Sequence, residues 1–389
     1  MPKASLRRNN YILTVYMLES PLMMIHRGLH ATRLKRLRAG LASLGLKGVV
    51  VVPGPNMRYL TGGTSLMLER PFMLLIPLAG DPQLVAPALE SGPYRSAPFP
   101  LGIHAWTDSE GPGGAIRKAA NRAGAEGQWG VEGRAPFQYT NKLANGCPLR
   151  FADAERILQG VRESKDDYEV GLLKKSAQAL SRAFSEFPGL IKEGATELEL
   201  ARAMADAIYV QGVEKVDDML VQAGQMAADP HHLPSARKVR RGESIVVDVG
   251  STYDGYYADI TRTFCIGRSP SVEKVYYKVL EAQEAAAAAS RAGARVGEVD
   301  AAARGVLEGA GLGRYFFHRT GHGLGLEIHE APYIVGGGDE LLGSHMCFTI
   351  EPGAYIRGRL GVRIEDDILI EGGKGVQITE VPKEFGWWS

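Results

Sequence analysis

The chain has 389 residues, and at about 150 residues per domain it points to two or three domains. Lys and Arg number 45 against 44 Asp and Glu, a net charge of +1, so no broad attraction to nucleic-acid phosphates or anionic membranes follows and neither is expected as a partner. With 45% hydrophobic and 23% charged residues the composition is that of globular domains, and Cys147, Cys265 and Cys347 sit at unrelated spacings, which argues against a disulfide framework or a cysteine metal cluster and fits a reducing cytoplasm.

Lys3, Arg7 and Arg8 precede an apolar stretch over residues 11–18, the outline of a signal peptide. Glu19 interrupts it, no small-residue cleavage site follows, and a membrane span needs about 20 apolar residues. Residues 1–27 are expected to be a flexible extension, with the natural start nearer Met24. From Thr32, the residues Leu34, Leu37, Leu41 and Leu44 recur at spacings of three and four, one apolar helical face ended by Gly45 and Gly48. Residues 49–52 form a run of valines bounded by Gly48 and Pro53, and 72–77 and 83–87 read as further buried strands. This α/β alternation continues to about residue 150. A charged stretch over 162–169 precedes a second helical pattern, Val170, Leu173, Ala177, Leu180 and Phe184, with Ser164 and Asp167 spaced as a capping box. The domain boundary is placed near residues 155–165. A third helix is expected over 271–293, where 281–289 is strongly helix-forming.

Six of the nine histidines, His231, His232, His318, His322, His329 and His345, fall in the C-terminal half. Two carboxylate-bearing hairpins accompany them. In the first, Asp254-Gly255 is a preferred two-residue turn, because both positions accept positive φ. Centred there, residue 248 pairs with 261, and Asp259 becomes a diagonal neighbour of Asp248 on one face. In the second, Gly358 lies midway between Glu351 and Glu365, and their even separation allows both side chains onto one face. Between the hairpins, Gly321, Gly323 and Gly325 alternate around His322, a pattern that lets backbone approach a ligand closely and opposes a regular helix. Each acid alone reads as a solvated strand-end residue. Four gathered carboxylates repel, however, and burying them uncompensated costs several kcal/mol each at the order-of-magnitude level. A pair of divalent ions about 3.5 Å apart is the compensation such a set suits.

These residues resemble a metallopeptidase family with the "pita-bread" catalytic fold that includes prolidase, Xaa-Pro aminopeptidase, methionine aminopeptidase and creatinase. The resemblance rests on Val247-Asp248-Val249-Gly250, Asp259-Ile260-Thr261-Arg262-Thr263, the run His318 to Glu330, Ile350-Glu351-Pro352-Gly353 and Gly361-Val362-Arg363-Ile364-Glu365-Asp366, all in family order. It implies an α/β creatinase-like N-terminal domain over 28–157, in which Glu69-Arg70-Pro71-Phe72 is in the family's style, and an α+β pita-bread catalytic domain over 158–389. It further implies Asp248, Asp259, His322, Glu351 and Glu365 as ligands of two divalent metal ions, with Asp259 and Glu365 bridging. The metal is expected to be manganese, with cobalt and zinc as alternatives. Water activated between the ions would attack the scissile carbonyl, with Glu351 shuttling protons. His231, seventeen residues before Asp248, and His329, seven after His322, would hold the substrate, with His232 a neighbouring departure from the pattern.

Arg363 resembles a site arginine, and a strand salt bridge is an equal contender for it. His232, His318 and His345 are read as structural histidines. The implied activity is cleavage of N-terminal Xaa-Pro bonds in proline-containing dipeptides or short peptides, dipeptidase slightly favoured over aminopeptidase, by a cytoplasmic homodimer. The alternatives are a creatinase-like hydrolase, whose relatives have lost the metal ligands, and a non-catalytic binding module on the same fold.

Overall fold

A computed structural model describes residues 27–386 and residue 388. The extension expected over 1–27 lies outside the described residues apart from Arg27, which opens the first helix. The chain divides between Leu158 and Gln159 into two compact units. Among the described residues no helix is long and apolar enough to cross a membrane.

The first unit contains α1 (Arg27–Ser43), β1 (Gly48–Val51), α2 (Pro55–Thr61), β2 (Met73–Pro77), β3 (Gln83–Pro87), β4 (Gly102–Trp106), α3 (Gly113–Ala123), β5 (Gly127–Val131), α4 (Phe137–Ala144) and β6 (Leu149–Asp153). Helix α5 (Glu155–Glu163) spans the division point. Leu34, Leu37 and Leu41 of α1 are buried as the spacing predicts. Leu44 is not: the helix ends at Ser43 and Gly45 takes φ 66°, so the helical repeat no longer directs Leu44, which is 60% exposed. The six strands form one mixed sheet in the order β4-β3-β2-β1-β5-β6. Its continuous apolar strands, among them Val50, Leu75 and Val85, are buried with Trp129 and with Ile116 and Ala119 of α3.

The second unit begins with α6 (Asp167–Glu186) and α7 (Glu197–Val210), followed by β7 (Lys215–Ala223), β8 (Ser244–Tyr253), β9 (Tyr256–Cys265), α8 (Pro270–Ala289) and α9 (Val296–Gly309). It closes with β10 (Gly321–Gly323), β11 (Glu330–Ile334), β12 (Cys347–Ile350), β13 (Gly353–Ile356), β14 (Leu360–Arg363), β15 (Asp366–Glu371) and β16 (Lys374–Gln377). The five periodic apolar residues of α6 are all buried. Its capping box, however, is Asp166 with Glu169, not Ser164 with Asp167: the Asp166 carboxylate accepts from Glu169 N at 3.0 Å and the Glu169 carboxylate from Asp166 N at 2.9 Å, while the Ser164 hydroxyl donates to Ser344 O. The third helix stops at Ala289 rather than 293, because the next backbone N–H groups leave the helical ladder, Ala292 N for Gly373 O and Gly293 N for Leu342 O.

Strands β7-β8-β9 form an antiparallel sheet, backed by Leu180, Phe184 and Met204 of α6 and α7 against Ile245, Val247, Ile260 and Phe264. A five-stranded sheet runs β11-β10-β12-β15-β16, and β13 pairs with β14 alone. Phe348, Ile350 and Val362 of these strands pack against Val275, Val279 and Val299 of α8 and α9.

Candidate active site

Two ribbons position the acids. In the first, Asp254 and Gly255 take φ 47° and 74° at the two central positions of the turn, as a hairpin of this twist requires. Asp248 then pairs with Thr261 and Gly250 with Asp259, so Asp248 and Asp259 share a face as diagonal neighbours. Gly250 has a local reason to lack a side chain: a Cβ there would collide with Ile328, the residue before His329.

The second ribbon turns around Gly358, at φ 72°, with Ile356 paired to Leu360 and Gly353 to Arg363. Its ladder resumes farther out with Ile350 opposite Asp366. Between these stretches the regular pairing lapses, at Glu351 and Glu365. The freed backbone groups reach other strands instead: Glu351 N donates to Thr320 O at 2.8 Å and Glu365 N to Thr261 O at 3.1 Å. One acid is thereby tied to the segment entering β10, which carries His322, and the other to β9, which carries Asp259.

The three alternating glycines serve a different purpose from the ligand approach expected of them. A Cβ on Gly321 would run into Thr349 O, one on Gly323 into Ala331 O and one on Gly325 into the Glu330 carboxylate. They permit close packing of protein on protein, which holds β10 between β11 and β12.

All eight site residues expected from the sequence line one cavity of about 1340 Å³: Asp248, Asp259, His322, Glu351, Glu365, His231, His329 and Arg363. Donor atoms of Asp259, His322 and Glu365, all buried, lie within 4.8 Å of one another. Glu351 Oε1 is 3.4 Å from His322 Nε2. Asp248 is drawn to Arg363 by a close ion pair; Arg363 also donates to the Tyr355 hydroxyl at 2.8 Å and to Thr261 Oγ1 at 3.1 Å. The strand salt bridge weighed for Arg363 is thus present, and its side chain still faces the cavity. Thr261 in turn donates to Glu365 at 2.5 Å.

Burial, with the charges of Asp248, Asp367 and Glu351, holds the Asp259 carboxyl well above the usual carboxylate range. Burial and Asp259 do the same to Glu365. Glu351 is pushed up to about 7 by burial, against the opposing pull of Arg363. Burial lowers His322, with His329 and Arg319 adding to the effect, and burial lowers His329, with Arg319 adding to it, so both rings are neutral and able to act as ligand or hydrogen-bond donor. Asp259 Oδ1 is buried without a hydrogen-bond partner, next to Glu365 and a neutral imidazole. This donor set fits divalent cations, which would satisfy that oxygen and offset the repulsion that raises both carboxyls.

His231 lines the cavity, whereas His232 turns away to Glu197, Nε2 to Oε2 3.2 Å. His345, at φ 61°, bonds to Lys165 O. His318 departs from its structural reading in one respect: it lines the cavity, with Nε2 3.0 Å from the Tyr355 hydroxyl, and burial and Arg363 lower its pKa to about 4. Tyr355 went unnoticed in the sequence, although strand alternation carries it to the face of Gly353 and Glu351; a Cβ on Gly353 would meet its hydroxyl at 2.5 Å.

Behind His329 lies a buried charge network. Arg162 Nη2 meets Glu327 and Glu330 at 2.5 Å each, and Lys165 Nζ meets Glu330 at 2.9 Å, with every side chain at most 8% exposed. Two cations offset two carboxylates that flank Ile328 and His329. Arg162→Met should lower unfolding free energy by about 3–5 kcal/mol, because it strands buried carboxylate charge. A urea midpoint equal to that of the unaltered protein would show the network to be dispensable.

Residues 171–372 match the model of metallopeptidase family M24, and residues 33–164 match the creatinase/prolidase N-terminal domain. The chain is similar to the probable dipeptidase PepE of Mycobacterium tuberculosis, 39% identical over 361 residues, covering 92% of this chain and 96% of that one. Among solved structures it is similar to dipeptidase PepE of Mycobacterium ulcerans, with TM-score 0.86, 36% identity and coverage of 93% and 98%. The prolidase of Thermococcus sibiricus likewise superposes with TM-score 0.86 at 36% identity, covering 92% of this chain and 98% of its own. With a catalytic motif set gathered in one cavity, a family model matching over half its length and relatives matching nearly all of it, the chain belongs to metallopeptidase family M24.

Proposed function

We propose that the protein is a dinuclear-metal peptidase that hydrolyses the N-terminal Xaa-Pro bond, acting as an Xaa-Pro dipeptidase in preference to an aminopeptidase. The observation that carries this reading is the convergence of Asp248, Asp259, Glu351, Glu365 and His322 on one cavity that also holds His231 and His329. The five would hold two divalent ions, Asp259 and Glu365 serving both. The carboxylate-rich set favours manganese, with cobalt or zinc as alternatives. Such ions supply Lewis acidity and lower the pKa of water toward neutrality.

The chain's own residues do the rest. Glu351, at the cavity wall beside His322, is the carboxylate placed to take a proton from the attacking water and pass it to the leaving prolyl nitrogen. His329, kept neutral by burial, can donate an N–H to the substrate, and His231 faces it from another part of the cavity wall. Arg363 orients Asp248 and Tyr355 from behind. An Xaa-Pro bond lacks an amide N–H and has a fixed φ, so a shaped pocket rather than strand-like pairing is the suitable recognition device.

Residues 28–157 are read as the creatinase-like domain and 158–389 as the catalytic domain. The exposed apolar run Leu66, Met67 and Leu68, at 64%, 41% and 47%, supports a homodimer, and the free thiols support a cytoplasmic setting. The test is release of alanine from Ala-Pro and from Ala-Pro-Ala by protein loaded with manganese. Release from Ala-Pro is expected; release from neither peptide with any divalent ion would overturn the reading.

A further inference from the structure

His329 stands open to the cavity, its ring centroid 4.2 Å from that of His322, and among the described residues no hydrogen bond holds its ring. Such a side chain points only as accurately as its backbone is held. The holding groups lie outside the cavity. Ile328 packs so closely on β8 that a Cβ at Gly250 would stand 2.4 Å from its Cδ1. Glu330 opens β11 opposite Gly323, and successive side chains of an extended segment leave on opposite sides: His329 goes to the cavity, while Glu330, 3% exposed, goes behind it. Turning Glu330 therefore turns His329.

The grip on Glu330 is itself fixed. Lys165 Nζ donates to Glu330 Oε1 at 2.9 Å and Arg162 Nη2 to Oε2 at 2.5 Å, so each carboxylate oxygen has its own cation. Arg162 also donates to Glu327 at 2.5 Å, and one guanidinium thereby grips the segment on both sides of His329. Lys165 is tied to the turn before β12 through both backbone groups: its N–H donates to His345 O at 3.1 Å, and its C=O accepts from His345 Nδ1 at 3.1 Å. For stability alone, apolar side chains of similar volume would serve this buried place as well as four charges. What charge-assisted bonds add is direction.

We propose that Glu330, clamped by Arg162 and Lys165, is a positioning residue that aims the His329 ring at the substrate. This rests on the reading that His329 meets the substrate in the cavity.

Glu330→Gln keeps the shape of the side chain and removes its charge. It should lower kcat/KM for Ala-Pro by about 10- to 100-fold, the loss that follows a misplacement of about 1 Å. Lys165→Met, which leaves Glu330 with Arg162 alone, should lower it by less, and Lys165→Arg, which restores a cation, should recover part of that loss. A cycle with His329→Ala separates positioning from general weakening: where Glu330 acts through His329, the loss caused by Glu330→Gln disappears in the His329→Ala background. Losses that multiply overturn the proposal. Unfolding of both Glu330→Gln and Lys165→Met at the assay temperature also overturns it, since the network would then serve the architecture alone. A crystal structure of Glu330→Gln distinguishes these outcomes from failure of the peptidase reading, because it needs no turnover. A His329 ring turned away from its place 4.2 Å from the His322 ring supports the clamp even in a protein that cleaves no Xaa-Pro peptide. A ring left in place overturns it, even where Xaa-Pro cleavage is observed.

Discussion

Glu351→Gln should lower kcat on Ala-Pro by about 10²- to 10⁴-fold, the range lost with a positioned acid–base group, while the protein remains folded. Glutamine keeps the shape of the side chain but can neither take up nor release the proton, and it is a poorer metal ligand. Its stability should hold or rise, because burial and the charge of Asp248 both work against an ionised Glu351 in the metal-free protein. Turnover measured beside a urea transition separates these effects. Unchanged turnover would remove Glu351 from the mechanism, and an unfolded variant would show its role to be architectural.

Stripping divalent ions with a chelator should lower Tm by about 8–16 °C at pH 8, and by less at pH 5.5. The size follows from binding at about 1,000 times Kd, worth about 4 kcal/mol, in a unit where each kcal/mol shifts Tm by about 2–4 °C. The pH dependence follows from the carboxyls. Asp259 and Glu365 are held above their ordinary range by burial, with the charge of Asp248 adding to it at Asp259 and that of Asp259 at Glu365, so they keep protons in the folded state at pH values where the unfolded chain has lost them. Stability of the metal-free protein therefore falls as pH rises above about 4, the ordinary carboxylate pKa, toward the raised values. Cations oppose that loss and compete best when protons are scarce. Scanning calorimetry with and without chelator at the two pH values measures both terms. A Tm insensitive to chelator at either pH would contradict a metal site built from these residues.

Local geometry was the most legible part of the chain. Asp254-Gly255 and Gly358 announce their turns because few residues accept positive φ, and a ribbon of period two then dictates which acids share a face. That is why the neighbourhood of Asp248 and Asp259, and of Glu351 and Glu365, could be read without coordinates. Helix ends were harder. The competition among Ser164, Asp166 and Asp167 for the cap of α6 is decided by which carboxylate meets Glu169 N, and Ser164 is claimed by Ser344, 180 residues away. Contacts at such separations have no sequence pattern to betray them, and so Arg162 and Lys165 gave no sign of reaching Glu330. The alternating glycines misled for a related reason: their spacing records a close approach, but whether a ligand or a carbonyl such as Thr349 O is approached depends on the neighbouring strand.

The lapse in the second ribbon at Glu351 and Glu365 bears on how the chain can tolerate change in length. The bond from Thr261 to Glu365 spans 104 positions, and the entropy of closing so long a loop grows only with the logarithm of its length. Insertions in the exposed connections between β9 and β10 should therefore be absorbed with little loss. Inside either ribbon the arithmetic reverses. One added residue between Glu351 and Gly358 would shift the pairing by one and send the acid to the opposite face. Change in the length of this enzyme is thus tolerated in the connections between elements and forbidden across a handful of strand positions.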